Sequence, residues 1–280
     1  MLNNKSSVQK IGIFDSGIGG LTVARAIRSI LPNENLLYVG DTAHSPWGDK
    51  SQSQITSYSL ALTNFLLEND CNIIVIACNT ASCIALESIV TKFPNIKLFN
   101  VIDPIISLLA QMDFSHLNDI GIIGTKQTIK SNAYGSRLKQ LKPTSNSTLQ
   151  IKSLATPLLV PLIEEGWTEH NATKLIIAEY LSALDLKDQS ILILGCTHYP
   201  LIKAHIEDYY IKLNKNIMII DSTLLIAKEI KNFLLKNNQL QNNKAITSSD
   251  FYCTGNSEFF LKIAKQFFAN ITLKFLPLWE

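Results

Sequence analysis

Two cysteines occupy matching positions in the sequence, each at the end of an apolar run of the kind that forms a buried strand. Cys78 follows residues 73–77, and Cys196 follows residues 191–195. Both are followed by side chains with hydroxyl, amide or imidazole groups, namely Asn79, Thr80, Thr197 and His198. Because ligands of open α/β sheets bind beyond the carboxyl ends of the strands, we expect both thiols to face a ligand site.

Paired thiols at strand ends are compatible with a metal site, a redox pair, or a general acid and base. Structural zinc sites usually show two ligands about two to four residues apart, twice over, and the sequence fits that spacing only loosely. The nearest pairs are Cys78 with Cys83 and Cys196 with His198. The C-x-x-C pattern typical of redox pairs is missing from the sequence. An acid and base pair suits removal of a proton from one face of a carbon and delivery to the other, which favours racemisation or epimerisation without a metal.

Each cysteine would need help to act as a base. A thiol with its ordinary pKa of about 8.5 is only about 3% ionised at pH 7. His198 lies two residues from Cys196 and, as a cation, could act on that thiol directly. Asp15 cannot lower the pKa of a thiol by its charge, but it could accept the thiol proton. We therefore expect the two cysteines to be assisted in different ways.

The segments around these residues alternate between short apolar runs and longer stretches with helical spacing, as is typical of α/β proteins. The predicted strands are residues 10–15, 35–40, 72–77, 97–101, 120–124, 191–195, 217–221 and 251–254. The predicted helices are residues 21–31, 52–68, 82–92, 173–184, 223–236 and 258–268, and residues 142–148 are a predicted loop. Most strands are apolar on consecutive residues, which favours parallel sheets covered by helices on both faces.

The sequence also repeats itself weakly. Residues 10–15 resemble residues 119–124, and the two cysteine segments resemble each other in the same order. This repeat indicates two related halves. Asp15 and Ser16 follow the first strand, and the glycine-rich residues 17–20 lead into a helix whose free N–H groups suit a small anion such as a carboxylate.

Composition excludes several classes of protein. The chain has 280 residues, of which 46% are hydrophobic and 17% charged, and this balance predicts a globular protein with a substantial core. The net charge of +2 offers no general attraction to nucleic acid or to an anionic membrane. The polar residues 1–10 lack the apolar stretch of a secretory signal, and the odd number of cysteines, five, argues against a disulfide framework. We therefore expect a cytoplasmic protein with reduced thiols.

Five segments resemble the glutamate racemase family, within the aspartate and glutamate racemase superfamily, in both order and spacing. They are residues 11–23, 38–43, 77–82, 121–125 and 194–201, and the similarity runs from about residue 10 to about residue 270. The resemblance implies a cofactor-independent isomerase that converts L-glutamate to D-glutamate. The product would serve bacterial peptidoglycan synthesis, and so cell-wall biogenesis and cell shape.

The family fold implied by this resemblance is α/β, with two pseudo-symmetric domains and the active site in the cleft between them. Each domain is a mostly parallel sheet flanked by helices, which agrees with the repeat. On this sequence the first domain is expected to comprise residues 1–103 and 215–280 and to carry Asp15 and Cys78. The second is expected to comprise residues 104–214 and to carry Cys196 and His198.

The resemblance also implies roles for individual residues. Cys78 is expected to take the proton from D-glutamate and Cys196 from L-glutamate, with Asp15 and His198 assisting them. The implied substrate contacts are Asp15, Ser16, Trp47, Gly48, Asn79, Thr80, Thr197 and His198, with Glu164 as a lesser candidate near the second cysteine.

One loop departs from the family pattern. Where the family usually has Ala-Arg-x-Pro-Tyr-Gly, residues 43–48 read Ala-His-Ser-Pro-Trp-Gly. His44 therefore replaces a positive charge, and Trp47 lacks the tyrosine hydroxyl, so that backbone contacts from Trp47 and Gly48 are what the loop retains.

Two other functions stay open on the sequence. An aspartate racemase, or another member of the same superfamily, would share both cysteines and differ in how the distal carboxylate is held. A catalytically silent α/β module that binds a small anionic metabolite would make the thiols incidental. The sequence also leaves the oligomeric state open, a homodimer included.

Overall fold

The structure is a computed structural model that describes residues 10–141, 149–241, 249–255, 258–268, 271 and 273–279. The N-terminal residues 1–9 and the predicted loop at 142–148 lie outside the described residues. Within the part that is described, no helix is both long enough and apolar enough to cross a membrane.

Two sheets form the framework, and every strand pair in them is parallel. The strands are β1 (Lys10–Asp15), β2 (Asn35–Gly40), β3 (Cys71–Ile76), β4 (Lys97–Asn100), β5 (Asp119–Gly124), β6 (Gln150–Ala155), β7 (Ser190–Gly195), β8 (Ile217–Ile220), β9 (Ser249–Cys253) and β10 (Leu273–Phe275). The first sheet has the order β10-β9-β2-β1-β3-β4, and the second has the order β6-β5-β7-β8.

Helices cover both sheets. They are α1 (Leu21–Ile30), α2 (Gln52–Glu68), α3 (Asn79–Ile84), α4 (Leu86–Lys92), α5 (Asp103–Leu109), α6 (Lys126–Ser131), α7 (Ala133–Leu141), α8 (Leu159–Glu164), α9 (Asn171–Leu184), α10 (Lys203–Lys212), α11 (Thr223–Lys236) and α12 (Glu258–Phe267). Two short 3₁₀ helices, Trp47–Asp49 and Tyr199–Ile202, lie in loops.

The interior strands are apolar on consecutive residues because each of them faces two cores. In β1, Ile11 and Ile13 pack with α1 and α11, whereas Phe14 points to the opposite core under α2. In β7, Leu192 packs with α9 and α10, and Ile193 packs with α5 and α7 on the other face. Period-two alternation of side chains across a strand produces this division.

The domain division predicted from the sequence needs one correction. Strand Ile217–Ile220 was expected in the first domain, but it pairs with β7 in the second sheet, with Ser190 opposite Ile217. The chain leaves this sheet only after β8, because the α11 residues that follow pack against α1 in the core of the first sheet. We therefore propose that the second domain continues to residue 220.

Candidate active site

The two cysteines line one cavity between the sheets. Cys78 follows the interior strand β3 by two residues, and Cys196 follows the interior strand β7 directly. Both side chains are buried. The predicted residues that line the cavity with them are Ser16, Trp47, Gly48, Asn79, Thr80, Thr197 and His198. Two further predicted residues, Asp15 and Glu164, reach the site through hydrogen bonds to its lining.

The cavity is tightly closed. It offers only about 10 Å³ for the centres of water molecules, which is about the space of one water. Gly19 shows how closely the two domains meet, because a Cβ atom on it would overlap Thr197 Oγ1 and lie 2.5 Å from His198 Nδ1. A ligand of amino-acid size therefore needs a wider cavity than this one.

Cys78 is held as a neutral thiol. Its Sγ donates to Ser16 Oγ at 3.6 Å. Burial, together with the negative charge of Asp15, raises the pKa of the Cys78 thiol to about 12, against the weaker effects of the Ala81 N–H and Ser16. At neutral pH this sulfur therefore carries a proton that it can deliver.

Cys196 begins a chain of polar contacts. Its Sγ lies 3.6 Å from His198 Nδ1, and His198 Nε2 lies 3.0 Å from Glu164 Oε1. Burial would lower the pKa of His198, but the contacts with Cys196 and Glu164 outweigh it and hold that pKa well above its usual value. Burial would raise the pKa of Glu164, but hydrogen bonds with His198 and Ser45 hold it below its usual value. His198 and Glu164 therefore form an ion pair at neutral pH, with the imidazolium turned toward sulfur.

Ser45 supports this ion pair from the first domain. Its Oγ donates to Glu164 Oε1 at 2.8 Å and lies 3.1 Å from Oε2. The contact joins the loop after β2 to the end of α8. The Glu164 carboxylate, which orients His198, is therefore held by Ser45 only while the cavity is closed.

Asp15 lies at the end of β1 and is completely buried. It accepts hydrogen bonds from the Gly17 N–H at 2.9 Å and from Thr197 Oγ1 at 3.1 Å. The second of these bonds crosses between the domains. Burial raises the pKa of Asp15, although the charge of His198 and the donors around the carboxylate act in the opposite direction.

The loop that departs from the family pattern is tied down by Asp41. Trp47 is completely buried, and its indole N–H donates to Asp41 Oδ2 at 2.9 Å. His44 Nδ1 lies 3.0 Å from the same oxygen, and its ring stacks on Tyr58 with centroids 4.1 Å apart. The indole N–H of Trp47 and Nδ1 of His44 are thus both engaged by Asp41 within the first domain.

Comparison with known proteins agrees with this geometry. A family model described as Asp/Glu/Hydantoin racemase matches residues 21–230. The chain belongs to this family. It is similar to the glutamate racemases of Chlorobaculum parvum, with 42% identity over 86% of both chains, and of Neisseria meningitidis, with 39% identity over 90% of this chain and 89% of that one.

A solved structure extends the likeness to the whole fold. The crystal structure of glutamate racemase from Francisella tularensis in complex with D-glutamate matches with a TM-score of 0.86 at 34% identity, covering 97% of this chain and 98% of that one. The predicted fold class and the predicted class of enzyme, an amino-acid racemase, are confirmed. Among the residues that the structure describes, no group of three or more His, Cys, Asp or Glu side chains could hold a metal ion.

The sequence prediction missed Thr125 at this cavity. Thr125 lines the cavity, and its hydroxyl lies 2.9 Å from Thr80 Oγ1 and 3.0 Å from Thr128 Oγ1. A Cβ on Gly48 would lie 2.6 Å from Thr125 Cβ, so the two residues are in close contact. Thr125 directly follows β5, and the strand-end argument that pointed to Asp15 would have pointed to it as well.

Replacing Asp15 by asparagine is expected to stabilise the racemase. Because the folded-state pKa of Asp15 is raised, its contribution to stability is present below the ordinary aspartate pKa and is lost as pH rises through the raised value. Asp15→Asn should therefore raise Tm at pH 7 and flatten the fall of Tm as pH rises above the ordinary aspartate pKa. Scanning calorimetry against pH checks this, with the exposed Asp49→Asn as control. A lower Tm for Asp15→Asn at pH 7 would contradict it.

Proposed function

We propose that this chain is a glutamate racemase that moves protons at the α-carbon of glutamate with two cysteines and no cofactor. The main observation in support of this proposal is that two buried thiols, which follow strands of different sheets, line one closed cavity. The opposite polar environments of the two sulfurs also support the proposal, since one is held as a thiol and the other faces an imidazolium.

In the direction from L- to D-glutamate, Cys196 removes the α-proton as a thiolate. His198, held by Glu164, keeps its positive charge beside that sulfur. The Cys78 thiol delivers its proton to the opposite face of the α-carbon. After this turnover Cys196 carries a proton and Cys78 is a thiolate, which is the state required by D-glutamate. Exchange of thiol protons with solvent restores the first state.

The polar lining supports glutamate as the ligand. The buried carboxylate of Asp15 is a counter-charge for the α-ammonium group. The Ser16 hydroxyl lies 3.6 Å from Cys78 Sγ, and Thr197 directly follows Cys196. The hydroxyls of Thr80 and Thr125, of which Thr125 contacts Gly48, are donors for the distal carboxylate. Aspartate is shorter by one methylene, and a difference of that size in a pocket is worth about 10- to 200-fold in discrimination.

The experiment that tests this function is a racemisation assay without added cofactor, followed by circular dichroism. Both L- and D-glutamate should lose their signal, and aspartate should react at least about tenfold more slowly in kcat/KM. Faster turnover of aspartate would identify an aspartate racemase instead. Absence of turnover with either amino acid would favour the binding module.

The physiological part of the proposal is the supply of D-glutamate for peptidoglycan, in the cytoplasm. It rests on the resemblance to glutamate racemases and on the relatives of that name. Expression of the chain in a bacterium that cannot make D-glutamate should restore growth without added D-glutamate. Failure to restore growth by a chain that is active in the assay would contradict this role.

A further inference from the structure

The amide of Asn79, next to Cys78, has one partnered and one unpartnered end. Its Nδ2 donates to the hydroxyl of Tyr134 at 2.8 Å. Its Oδ1 is buried and has no hydrogen-bond partner among the described residues. Asn79 is only 2% exposed and lines the cavity. A buried carbonyl oxygen without a hydrogen-bond donor lowers stability by about 1 to 3 kcal/mol. A ligand that donates a hydrogen bond to Asn79 Oδ1 would remove this cost.

Tyr134 is fixed by the second domain. It lies on α7, is 2% exposed, and its ring packs in the core formed with Ile120, Ile122 and Leu138. Burial raises the pKa of Tyr134 above its usual range, so the hydroxyl stays protonated and its oxygen can accept from the amide. The hydrogen bond to Asn79 therefore crosses from the second domain to α3 of the first.

The two ends of an amide have almost the same shape but opposite hydrogen-bonding character. An –NH₂ group only donates, a carbonyl oxygen only accepts, and an ammonium group only donates. With the –NH₂ group of Asn79 engaged by Tyr134, the carbonyl is the end left to accept a hydrogen bond. A reversed amide would set an –NH₂ group against an ammonium group, with no hydrogen bond between them.

We propose that Tyr134 is a positioning residue that orients Asn79, so that Asn79 Oδ1 accepts a hydrogen bond from the α-ammonium group of the substrate. This inference rests on the proposed function, because it takes an amino acid as the ligand. Since Tyr134 and Asn79 belong to different domains, the acceptor is oriented only when the cleft closes. Binding of the ammonium group is thereby coupled to closure.

The variant Tyr134→Phe tests the proposal because it keeps the ring and removes only the hydroxyl. KM for glutamate is expected to rise about tenfold or more, as for a lost hydrogen bond to a charged group, with kcat changed less than about threefold. Glutarate has both carboxylates of glutamate and no ammonium group. Its inhibition constant, measured in the same assay, should be the same for the variant and the unchanged protein.

The chain offers a matched control in Tyr210→Phe. Tyr210 is also 2% exposed and lies in the second domain, and its hydroxyl has no hydrogen-bond partner among the described residues. Loss of that hydroxyl should leave KM for glutamate and inhibition by glutarate unchanged. If Tyr134→Phe lowers Tm so far that the assay fails, Asn79→Ala carries the same expectation, a raised KM for glutamate with unchanged glutarate inhibition.

Two results would overturn the role of Tyr134. One is an unchanged KM for glutamate in Tyr134→Phe. The other is glutarate inhibition weakened as much as glutamate binding, which would indicate general damage to the cavity. Failure of the proposed function itself looks different, because the unchanged protein would then not racemise glutamate at all.

Discussion

Alanine in place of either Cys78 or Cys196 is expected to lower the rate of glutamate racemisation by a factor of about 10² to 10⁴. Each variant removes one of the two groups that move the α-proton, and no other thiol lines the cavity in the part of the chain that the structure describes. Circular dichroism of L- and D-glutamate measures the loss. Because the two enantiomers have equal free energies, kcat/KM must fall equally in both directions.

Exchange of the α-proton with solvent distinguishes the roles of the two cysteines, whereas the racemisation rate does not. In deuterated water, Cys78→Ala should still let Cys196 exchange the α-proton of L-glutamate slowly, without forming the D product. Cys196→Ala should do the converse with D-glutamate. Proton NMR of the unreacted enantiomer measures the exchange. Exchange with the opposite preference would reverse the assignment of the two sulfurs.

The matched control is Cys253→Ala. Cys253 is also a buried cysteine at the end of a strand of the first sheet, but its Sγ donates to the Gly255 carbonyl, away from the cavity. Its loss should leave the racemisation rate within about twofold of the unchanged protein. A rate near that level for either Cys78→Ala or Cys196→Ala would contradict the two-cysteine mechanism.

All the described strands except β6 and β10 could be predicted from the sequence. Residues 10–15 and 35–40 were predicted with the bounds that β1 and β2 have, because both are continuous apolar runs. Strand β6 was missed because it lies at the edge of the second sheet and keeps polar side chains such as Lys152. Strand β10 was missed because it has only three residues, two of them exposed.

One predicted helix is two helices in the structure. The segment 82–92 was predicted as continuous, but α3 begins at Asn79 and ends at Ile84, and α4 follows after Ala85. Its apolar spacing continues through the break, since Ala81, Ala85 and Ile89 all pack in the same core. The periodicity of apolar residues indicates which side of a helix is buried, but it does not indicate where one helix ends and the next begins.

Most residues that line the cavity could be predicted from the sequence, but their partners could not. Asp15, Cys78 and Cys196 follow from the rule that ligands bind beyond strand ends. The contact of Ser45 with Glu164 joins residues 119 positions apart, from different domains. No local pattern encodes such a pair, because it depends on how the two sheets pack against each other.

The second large effect is expected at His198. The raised pKa of His198 means that its cation is present at neutral pH and is lost as pH rises through that value. Replacing it by asparagine removes a charged hydrogen bond beside the Cys196 sulfur, and kcat/KM should fall about 10- to 100-fold near pH 7. At alkaline pH the difference should shrink, since the unchanged protein then also lacks the cation.

Its control is His205→Asn, in the same domain. His205 also lies near a carboxylate, with Nε2 3.3 Å from Glu169 Oε2, but it does not line the cavity. The kcat/KM profile against pH should be the same for this variant as for the unchanged protein. A His198→Asn variant with an unchanged alkaline decline would assign that decline to another group.

Glu164→Gln tests the cause of the raised pKa without touching the imidazole. Glutamine keeps a hydrogen-bond acceptor for His198 Nε2 and for Ser45, but it removes the negative charge that stabilises the imidazolium. The pKa of His198 should fall, and the alkaline decline of kcat/KM should move to lower pH by an amount read from the profile. Because burial then opposes the cation with less compensation, the variant should lose activity first at alkaline pH and keep most of it on the acid side. A decline that stays in place would mean that His198 does not act as a cation in the reaction.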